Sequence, residues 1–360
     1  MDSQEPVPVE QVGSVGPVGS AGSVGQVGSA GQVRSALGGS APPRRAGPSR
    51  RGSPQRLGDR LFRGTSRTSA VLLVTLLVAI ALFLLDKAIP AISQDSRNFL
   101  LNRTWFPDES PPVFGIAALV YGTLVSSVLA SVLAVPVAVG VALALTQYIP
   151  RRLAGPVGFL VDLLAAIPSV VYGLWGLIYL VPAMVPLSRW LSDYFGWIPI
   201  FASDGVFGKS IFTASVVLAI MILPIIAAIT REVLDKVPQD HKEAAIALGA
   251  TRWEMIRTAV LPYGRPGIIG ALVLGFGRAL GETIAVALVL SANYEITARI
   301  LSPAGNTIAA NIANTFGDAG TTGRGALIAS GLVLFAITLV VNLAARAVIR
   351  RRSEFRAAAG

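Results

Sequence analysis

Cysteine is absent from this 360-residue chain, and histidine occurs once, as His241. The absence of cysteine excludes disulfides, iron–sulfur clusters and thiolate metal sites. A lone histidine in a loop is usually a solvated polar side chain, because metal sites and acid–base sites need several convergent groups. The sequence also offers no Ser/His/Asp arrangement. We therefore expect no metal site, no bound cofactor and no catalytic site in this chain.

Charged residues are also scarce. Only 14% of the residues are charged and 53% are hydrophobic, and the mean hydropathy is +0.64. A soluble chain of this length rarely has such a composition. The composition therefore indicates a membrane protein.

The net charge of +10 lies at the two ends of the chain. Residues 1–69 contain nine arginines and four acidic residues, and residues 344–360 contain five arginines and one acidic residue. Basic and acidic residues nearly balance in between. Basic ends beside apolar segments are typical of tails held at the cytoplasmic face of a membrane, so we expect no nucleic-acid partner.

Residues 1–67 form a tail rich in Gly, Ser, Pro and Arg, with recurring Val-Gly-Ser and Ala-Gly-Ser units. Such a segment cannot bury enough apolar surface to offset the entropy of ordering, so we predict disorder. Its arginines would either contact anionic membrane lipid or act only as an orientation signal for the next helix. The first apolar run lies too far from Met1 for a secretory signal.

Beyond Thr68, the apolar runs reach the length of about 20 residues that crosses a bilayer core. We predict six transmembrane helices, at about residues 69–91, 114–148, 156–182, 210–230, 267–291 and 326–347.

The second run has no charged side chain from Val113 to Pro150, and a hairpin of two spans about Pro136 is an alternative. A hairpin would place Arg151-Arg152 and the C-terminal arginines on the side opposite the basic N-terminus. The positive-inside rule therefore favours one long helix kinked at Pro136.

Ser203–Ser210 ends like a phosphate-binding P-loop, with Gly208-Lys209-Ser210. The first glycine of that motif is Ser203 here, and no strand precedes it. We interpret the segment as a turn that leads into the fourth span. No other phosphate cradle is present, so any ATP hydrolysis belongs to a partner.

A short polar stretch between the fourth and fifth spans carries strong helix signals. Asp240 with Glu243 predicts one capping box, and Thr251 with Glu254 predicts a second. Gly249 ends the first helix. Two short capped helices joined at a glycine make a rigid protrusion, which we expect a partner to bind.

The fifth span contains two opposite charges, Arg278 and Glu282. A charge in mid-membrane costs a few kcal/mol, and the i, i+4 spacing allows the two to pair. Gly277 and Gly281 would let another helix approach closely. The pair either locks helix packing or forms a polar site on a permeation path. Intramembrane charges are usually functional, so we favour a path in which Arg278 attracts an anion.

Other charges and one loop have less specific signals. Asp162 and the Asp86-Lys87 pair lie near the ends of predicted spans, where we assign them structural roles. In the outer loop, Thr307 to Phe316 is predicted as an amphipathic helix. Its apolar side would pack on the protein body or contact an external partner.

The polar stretch resembles the coupling signature of the permease subunits of bacterial ATP-binding-cassette importers. The matching residues are Glu243-Ala244-Ala245, Gly249 and Leu261-Pro262. Ala259 departs from the pattern, since the family usually has Ile there. Ile256 lies one turn earlier, and we expect it to preserve the coupling contact. The resemblance implies a loop that is seated in a cleft of an ATPase subunit.

Within this family, residues from about Gly122 to Val289 are similar to the phosphate-specific permeases called PstC. The matching passages are Ala165–Gly176, Ile222–Ile225, Arg231–Leu234, Gly277–Val286 and Asn306–Ala310. The resemblance implies that Arg278 and Glu282 serve phosphate passage. It also implies four other subunits: the sister permease PstA, two copies of the ATPase PstB, which uses ATP and Mg, and the phosphate-binding protein PstS.

Together these features predict an all-α permease with six transmembrane helices and the type I ABC importer fold. We assign residues 1–67 to the tail, 68–112 to the first helix and an outer loop, 113–348 to the permease core with coupling loop 231–266, and 349–360 to a basic C-terminal tail. Both termini would be cytoplasmic in a bacterial cell membrane. A permease for molybdate or sulfate and a secondary anion transporter remain as alternatives.

Overall fold

The computed structural model describes residues 57–357, which are mostly helical. The elements, in chain order, are α1 Leu57–Gln94, β1 Trp105–Phe106, β2 Val113–Phe114, α2 Ala117–Leu143, α3 Arg151–Ala165, α4 Ser169–Trp175, α5 Val181–Phe195, α6 Ile211–Asp235, α7 Gln239–Ala247, α8 Arg252–Met255, α9 Leu261–Leu280, α10 Ile284–Val289, α11 Ile308–Thr315 and α12 Thr321–Ala357. Three π-helical turns follow α2, α4 and α8, at Ala144–Tyr148, Gly176–Leu180 and Ile256–Val260.

Six helical segments in the described part of the chain are long and apolar enough to cross a membrane, which confirms the predicted number. They are Leu61–Gln94, Ala117–Tyr148, Ser169–Phe195, Ile211–Asp235, Arg252–Leu280 and Thr321–Ala347. The chain is therefore a multi-pass membrane protein. Because successive spans alternate in direction, the loops form two groups. We call the end that bears α7 the coupling face and the other end the opposite face.

The first span begins earlier than predicted. Residues 57–67, which the sequence assigned to the tail, belong to α1. The run from Leu57 contains no proline before Pro90, so nothing in its backbone stops the helix from extending past the apolar core. Residues 1–56, which contain most of the tail predicted to be disordered and most of the arginines assigned either to a lipid contact or to an orientation signal, lie outside the described residues.

The third span was predicted at residues 156–182, and this prediction is wrong. A helix break at residues 166–168 separates α3 from α4, and the spanning segment is Ser169–Phe195. Pro168 causes the break, because proline lacks the N–H that would continue the helix and disfavours helical backbone at Ile167. The spanning helix then begins directly after this proline, and α3 is a separate helix at the coupling face.

The second span is one helical segment, as predicted, with Pro136 inside α2. It packs against α6, which is the most buried span. Small side chains on α2 (Ala130, Ala134 and Ala138) are fully buried against the large aliphatic residues of α6. Small residues let two helix backbones approach closely in a membrane, where no hydrophobic effect drives helices together. α9 also packs on α6: Gly275 faces Ile226, and a Cβ there would lie 2.7 Å from the Ile226 side chain.

A short antiparallel hairpin at the opposite face was not predicted. Trp105 pairs with Phe114 and Phe106 pairs with Val113. Each strand has only two residues, too few for the alternating pattern by which a strand is recognised in sequence. Its buried aromatic rings pack edge to face, with Trp105 and Phe114 centroids 6.0 Å apart. The hairpin therefore packs its apolar side chains on the ends of α1 and α12.

The predicted helix in the outer loop is present as α11, capped by the Thr307 hydroxyl, which accepts a hydrogen bond from the Ala310 N–H at 3.2 Å. Ile308 is fully buried and Ile312 packs on the same cluster. Phe316 is about half exposed, with Arg324 over its ring. The helix therefore packs on the protein body through its first turns, which decides between the two alternatives for Ile308 and Ile312.

The P-loop-like segment is a turn before the fourth span, as interpreted from the sequence. Gly205 has a positive φ of 85°. The Ser210 hydroxyl accepts a hydrogen bond from the Thr213 N–H at 3.2 Å and caps α6. Asp204 forms an ion pair with Arg299 of the neighbouring loop. These contacts make the segment a structural connection at the opposite face.

Candidate functional site

The segment that resembles a coupling loop contains two helices, as predicted, but only one of the two capping boxes. Pro238 is the N-cap of α7 and has no side-chain cap, while Asp240 and Glu243 lie inside the helix. The N-cap lies two residues before Asp240, and the helix starts at Gln239, so the predicted box cannot form. The second box is present: the Thr251 N–H donates to Glu254 Oε2 at 2.8 Å, and the Glu254 N–H donates to Thr251 Oγ1 at 3.3 Å.

Gly249 ends α7 as predicted, with φ of +85°. Its N–H donates to the Ile246 carbonyl at 2.9 Å, and the Ala250 N–H donates to the Ala245 carbonyl at 3.1 Å. This pair of bonds is the Schellman arrangement, which satisfies the last carbonyls of a helix and needs a left-handed residue. The turn between α7 and α8 is therefore fixed by backbone bonds at one end and by the Thr251 capping box at the other.

The second helix of this segment is longer than predicted. α8 continues through the π-helical turn Ile256–Val260 into α9, and the whole of Arg252–Leu280 is one spanning helix. We call residues 239–262 the coupling segment. Since α8 begins the fifth span, a partner that moves the coupling segment moves this span directly.

The coupling segment has an exposed, partly apolar surface. α7 has no buried residue, Leu248 is 89% exposed and Trp253 is 57% exposed. Glu243 and Ala244 are exposed and Ala245 is half-buried. Large apolar side chains this open, on a turn whose backbone is fixed, are typical of a protein–protein contact surface.

Ile256 is not part of that surface, although the sequence predicted that it would preserve the coupling contact. It is fully buried in a cluster with Leu234, Val237, Met255 and Val260. Leu261 packs on the same cluster from its edge. Ile256 therefore fixes the coupling segment to the end of α6 and is not available to a partner.

Arg278 and Glu282 do not share one long helix. The fifth span was predicted at residues 267–291, but α9 ends at Leu280, and α10 is a separate short helix. Arg278 lies in the last turn of α9, where a cation interacts favourably with the partial negative charge of the helix C-terminus. The Glu282 N–H donates to the Ala279 carbonyl at 3.4 Å, so Glu282 lies within one turn of Arg278.

The predicted pairing of Arg278 with Glu282 is also absent from the ion pairs of residues 57–357. Glu282 is 8% exposed, and its Oε1 accepts a hydrogen bond from the Ala285 N–H at 3.3 Å. The carboxylate therefore caps the start of α10. Arg278 is exposed. Its guanidinium has no acidic partner in the described part of the chain, which leaves it available to an anion.

Gly277 and Gly281 were predicted to let another helix approach. Nothing lies within 4 Å of a Cβ built at Gly277, and only the Gly277 carbonyl is that close at Gly281. No helix of the described chain packs there. The surface beside Arg278 is therefore open in this subunit.

The third span meets α10 close to Arg278. A Cβ at Gly173 would lie 2.6 Å from the Ala285 Cα, so this glycine is required for the contact between α4 and α10. Tyr172, the neighbouring residue, lies near Arg278, and its hydroxyl donates to the Leu164 carbonyl at 2.8 Å. The helix that follows the break after α3 therefore packs on the helix that follows the break after α9.

Sequence reasoning missed one link at the coupling face. Arg231 Nη2 lies 2.9 Å from Asp162 Oδ2, which joins the end of α6 to α3. This pair lines a groove of about 940 Å³ that continues to Lys242 and Arg252. A carboxylate in an otherwise apolar run is a signal that a cationic partner lies nearby, but the sequence alone does not show which one.

Comparison with known proteins shows the following similarities. Residues 134–354 match the family described as "Binding-protein-dependent transport system inner membrane component". The chain is 44% identical to the phosphate transport system permease protein PstC 2 of Mycobacterium tuberculosis, over 81% of this chain and 91% of that protein. It is 40% identical to the phosphate transport system permease protein PstC of Mesorhizobium japonicum, over 82% and 91%.

One solved structure has a similar fold. It is the crystal structure of a bacterial ABC transporter involved in the import of the acidic polysaccharide alginate, with a TM-score of 0.50 and 20% identity. The match covers 81% of this chain and 99% of that chain. The likeness concerns the arrangement of the helices alone.

Proposed function

This chain belongs to the binding-protein-dependent transport system inner membrane components, among the phosphate transport permeases, and we propose that it forms half of the membrane pore of an ATP-driven phosphate importer. The observation that supports this function most directly is an arginine in a membrane span with no acidic partner in the described chain, beside an open surface. An unpaired cation inside a membrane is costly, and it is retained where an anion must be attracted.

In this proposal Arg278 contacts the phosphate as it passes between this subunit and the sister permease PstA. The guanidinium offers a planar set of N–H donors that matches the oxygens of phosphate. Its position at the C-terminus of α9 lowers the cost of holding the charge in place without neutralising it. Glu282 keeps the corner between α9 and α10 in shape and adds negative charge nearby, so that the site does not hold the anion too tightly.

In this proposal the free energy for transport comes from a partner, two copies of the ATPase PstB, which bind and hydrolyse ATP with Mg. The coupling segment would be seated in a cleft of that partner, with Leu248 and Trp253 supplying apolar contacts and Glu243 supplying charge. Closure of the ATPase dimer would draw the segment inward and open the path to the opposite face. A phosphate-binding protein, PstS, would release phosphate there.

Uptake of radiolabelled phosphate by the complete importer in reconstituted vesicles tests the role of Arg278. We expect Arg278→Ala to lower uptake by about tenfold or more, since a charged hydrogen bond contributes about 1.5–3 kcal/mol. Arg278→Lys should retain part of the activity, because it keeps the charge without the planar donors. Arg189→Ala is the control, since Arg189 is also an exposed arginine without an ion pair in residues 57–357, but it lies in the last two turns of the third span, where a long side chain reaches the membrane surface.

Assembly of each variant is checked by co-purification with the ATPase. Normal uptake by an assembled Arg278→Ala complex would show that Arg278 does not contact the phosphate. Competition by sulfate and molybdate in the same assay distinguishes phosphate from the other oxyanions. Uptake that continues without the ATPase would indicate a secondary transporter instead.

A further inference from the structure

We propose that α3 carries movement of the coupling segment to Arg278, and that Asp162, Arg231 and Tyr172 are the positioning residues of this connection. The proposal rests on the proposed function and adds a route between its two sites. α3 lies between them: one of its residues is bound to the end of α6, and another is bound to the start of the third span.

The coupling segment is attached to the end of α6. Met255 and Ile256 are buried against Leu234 and Val237, and Ala245 of α7 packs on the same cluster. Close-packed side chains transmit displacement, because interiors have few voids into which they can yield. A movement of α7 and α8 therefore displaces the end of α6, where Arg231 lies three residues before Leu234.

Arg231 passes this displacement to α3. Its Nη2 lies 2.9 Å from Asp162 Oδ2, and the two side chains are 25% and 45% exposed. Gly158 makes room for the guanidinium: a Cβ at this position would lie 1.8 Å from Arg231 Nη1. Arg231 is thus held by the Asp162 carboxylate and by the space that Gly158 leaves on the surface of α3.

The far end of α3 is bound to the third span across the break at residues 166–168. The Tyr172 hydroxyl donates to the Leu164 carbonyl at 2.8 Å. Leu164 is in the last turn of α3, where carbonyls lack partners within the helix. A displacement of α3 therefore pulls on the first turn of α4, although Pro168 interrupts the helix between them.

The first turn of α4 lies against the elements that carry the proposed anion site. Gly173 contacts Ala285 of α10, whose N–H is bound by Glu282. Glu282 is bound in turn to the Ala279 carbonyl, next to Arg278. The contacts therefore form a continuous series from α7 through α6, α3 and α4 to the corner between α9 and α10, beside Arg278.

Two helical glycines provide a test that changes no charge. Gly158→Ala in α3 places a methyl group where Arg231 Nη1 now lies, whereas Gly140→Ala in α2 meets nothing within 4 Å. Both substitutions favour the helix to a similar extent. In the complete reconstituted importer, we expect Gly158→Ala to raise the ATP hydrolysed per phosphate imported by about threefold or more, and Gly140→Ala to leave it unchanged.

Removal of each contact should have the same effect. We expect lower maximal uptake from each of the variants Asp162→Asn, Arg231→Gln and Tyr172→Phe. The phosphate concentration for half-maximal uptake and the rate of ATP hydrolysis should change less than maximal uptake does. Glu232→Gln is the control for the ion pair, since Glu232 pairs with Lys236, the C-cap of the same helix, at 2.7 Å. Tyr121→Phe is the control for the tyrosine, because its hydroxyl also donates to a carbonyl, that of Thr297, at 2.8 Å.

The double variant Asp162→Asn with Arg231→Gln separates a connection from two independent defects. We expect it to be no worse than either single variant, because both remove the same contact. Additive losses, equal effects of the two glycine variants, or parallel decreases in uptake and ATP hydrolysis would each overturn the proposal. Because Arg278 is intact in all of these variants, such results would leave the proposed function standing, whereas normal uptake by Arg278→Ala would contradict that function itself.

Discussion

Arg278 and Glu282 have opposite environments although they are only one helical turn apart. Arg278 is exposed and has no acidic partner in the described residues, whereas Glu282 is buried and hydrogen-bonded to backbone. The difference arises at Gly281, where α9 ends and the chain turns. The spacing of the two residues in the sequence indicated a pair, and the end of the helix between them removed it. At the residue scale, the Glu282 carboxylate stabilises the fold, and Arg278 is the charge that we propose for the anion.

Two substitutions of Glu282 test whether its hydrogen bond to α10 stabilises the fold. Both Glu282→Gln and Glu282→Ala remove the charge, but only glutamine keeps an oxygen that can accept from the Ala285 N–H. We expect the alanine variant to be less stable than the glutamine variant by about 1–3 kcal/mol, the cost of leaving a buried donor unsatisfied. Thermal unfolding of the purified complex in detergent measures the difference. Equal stabilities would show that the hydrogen bond to α10 contributes nothing.

At the scale of elements, the turn between α7 and α8 is held by backbone geometry and hydrogen bonds, and its side chains remain free for a partner. Gly249 supplies the left-handed residue, and Thr251 with Glu254 caps the next helix. Both features were predicted from the sequence, since helix caps depend on residues next to each other in the chain. The capping box assigned to Asp240 was wrong, because the helix starts earlier, at Gln239.

Gly249→Ala tests how far this turn matters. A side chain at a φ of +85° costs about 1–2 kcal/mol, so we expect the turn to shift and the ATPase to bind more weakly. Gly270→Ala is the control, since Gly270 lies within α9 and nothing is within 4 Å of its Cβ position. Retention of the ATPase during purification is the measurement. Full retention by Gly249→Ala would show that the partner does not depend on the shape of this turn.

At the scale of the whole molecule, the loops are divided between two faces. The coupling segment and α3 lie at one face, and the hairpin, the turn before α6 and α11 lie at the other. The basic ends of the sequence indicate that the coupling face is cytoplasmic. This orientation is a proposal, because charge bias sets it and the fold itself is the same either way up.

The absence of cysteine makes the orientation easy to measure. Leu248→Cys at the coupling face and Val206→Cys at the opposite face would each be the sole thiol of the chain, and both positions are well exposed, at 89% and 62%. A maleimide that cannot cross membranes should label Val206→Cys in intact cells, and Leu248→Cys only after permeabilisation in cells that lack the ATPase. The reverse pattern would invert the proposed topology.

The class, the number of spans and the Gly249 turn follow from the amino-acid sequence alone. These depend on composition and on neighbours in the chain, and apolar length alone suffices to count helices that cross a bilayer. The packed helices were needed to show where the third and fifth spans begin and end, that Ile256 is buried, and that Asp162 binds Arg231. Helix ends within apolar runs and contacts between distant segments depend on which surfaces pack together, and a run without charge carries no local signal for either. The missing cysteines excluded disulfides, iron–sulfur clusters and thiolate metal sites, and the scarce charges indicated a membrane protein. Packing, in contrast, left Arg278 without an acidic partner in the described chain.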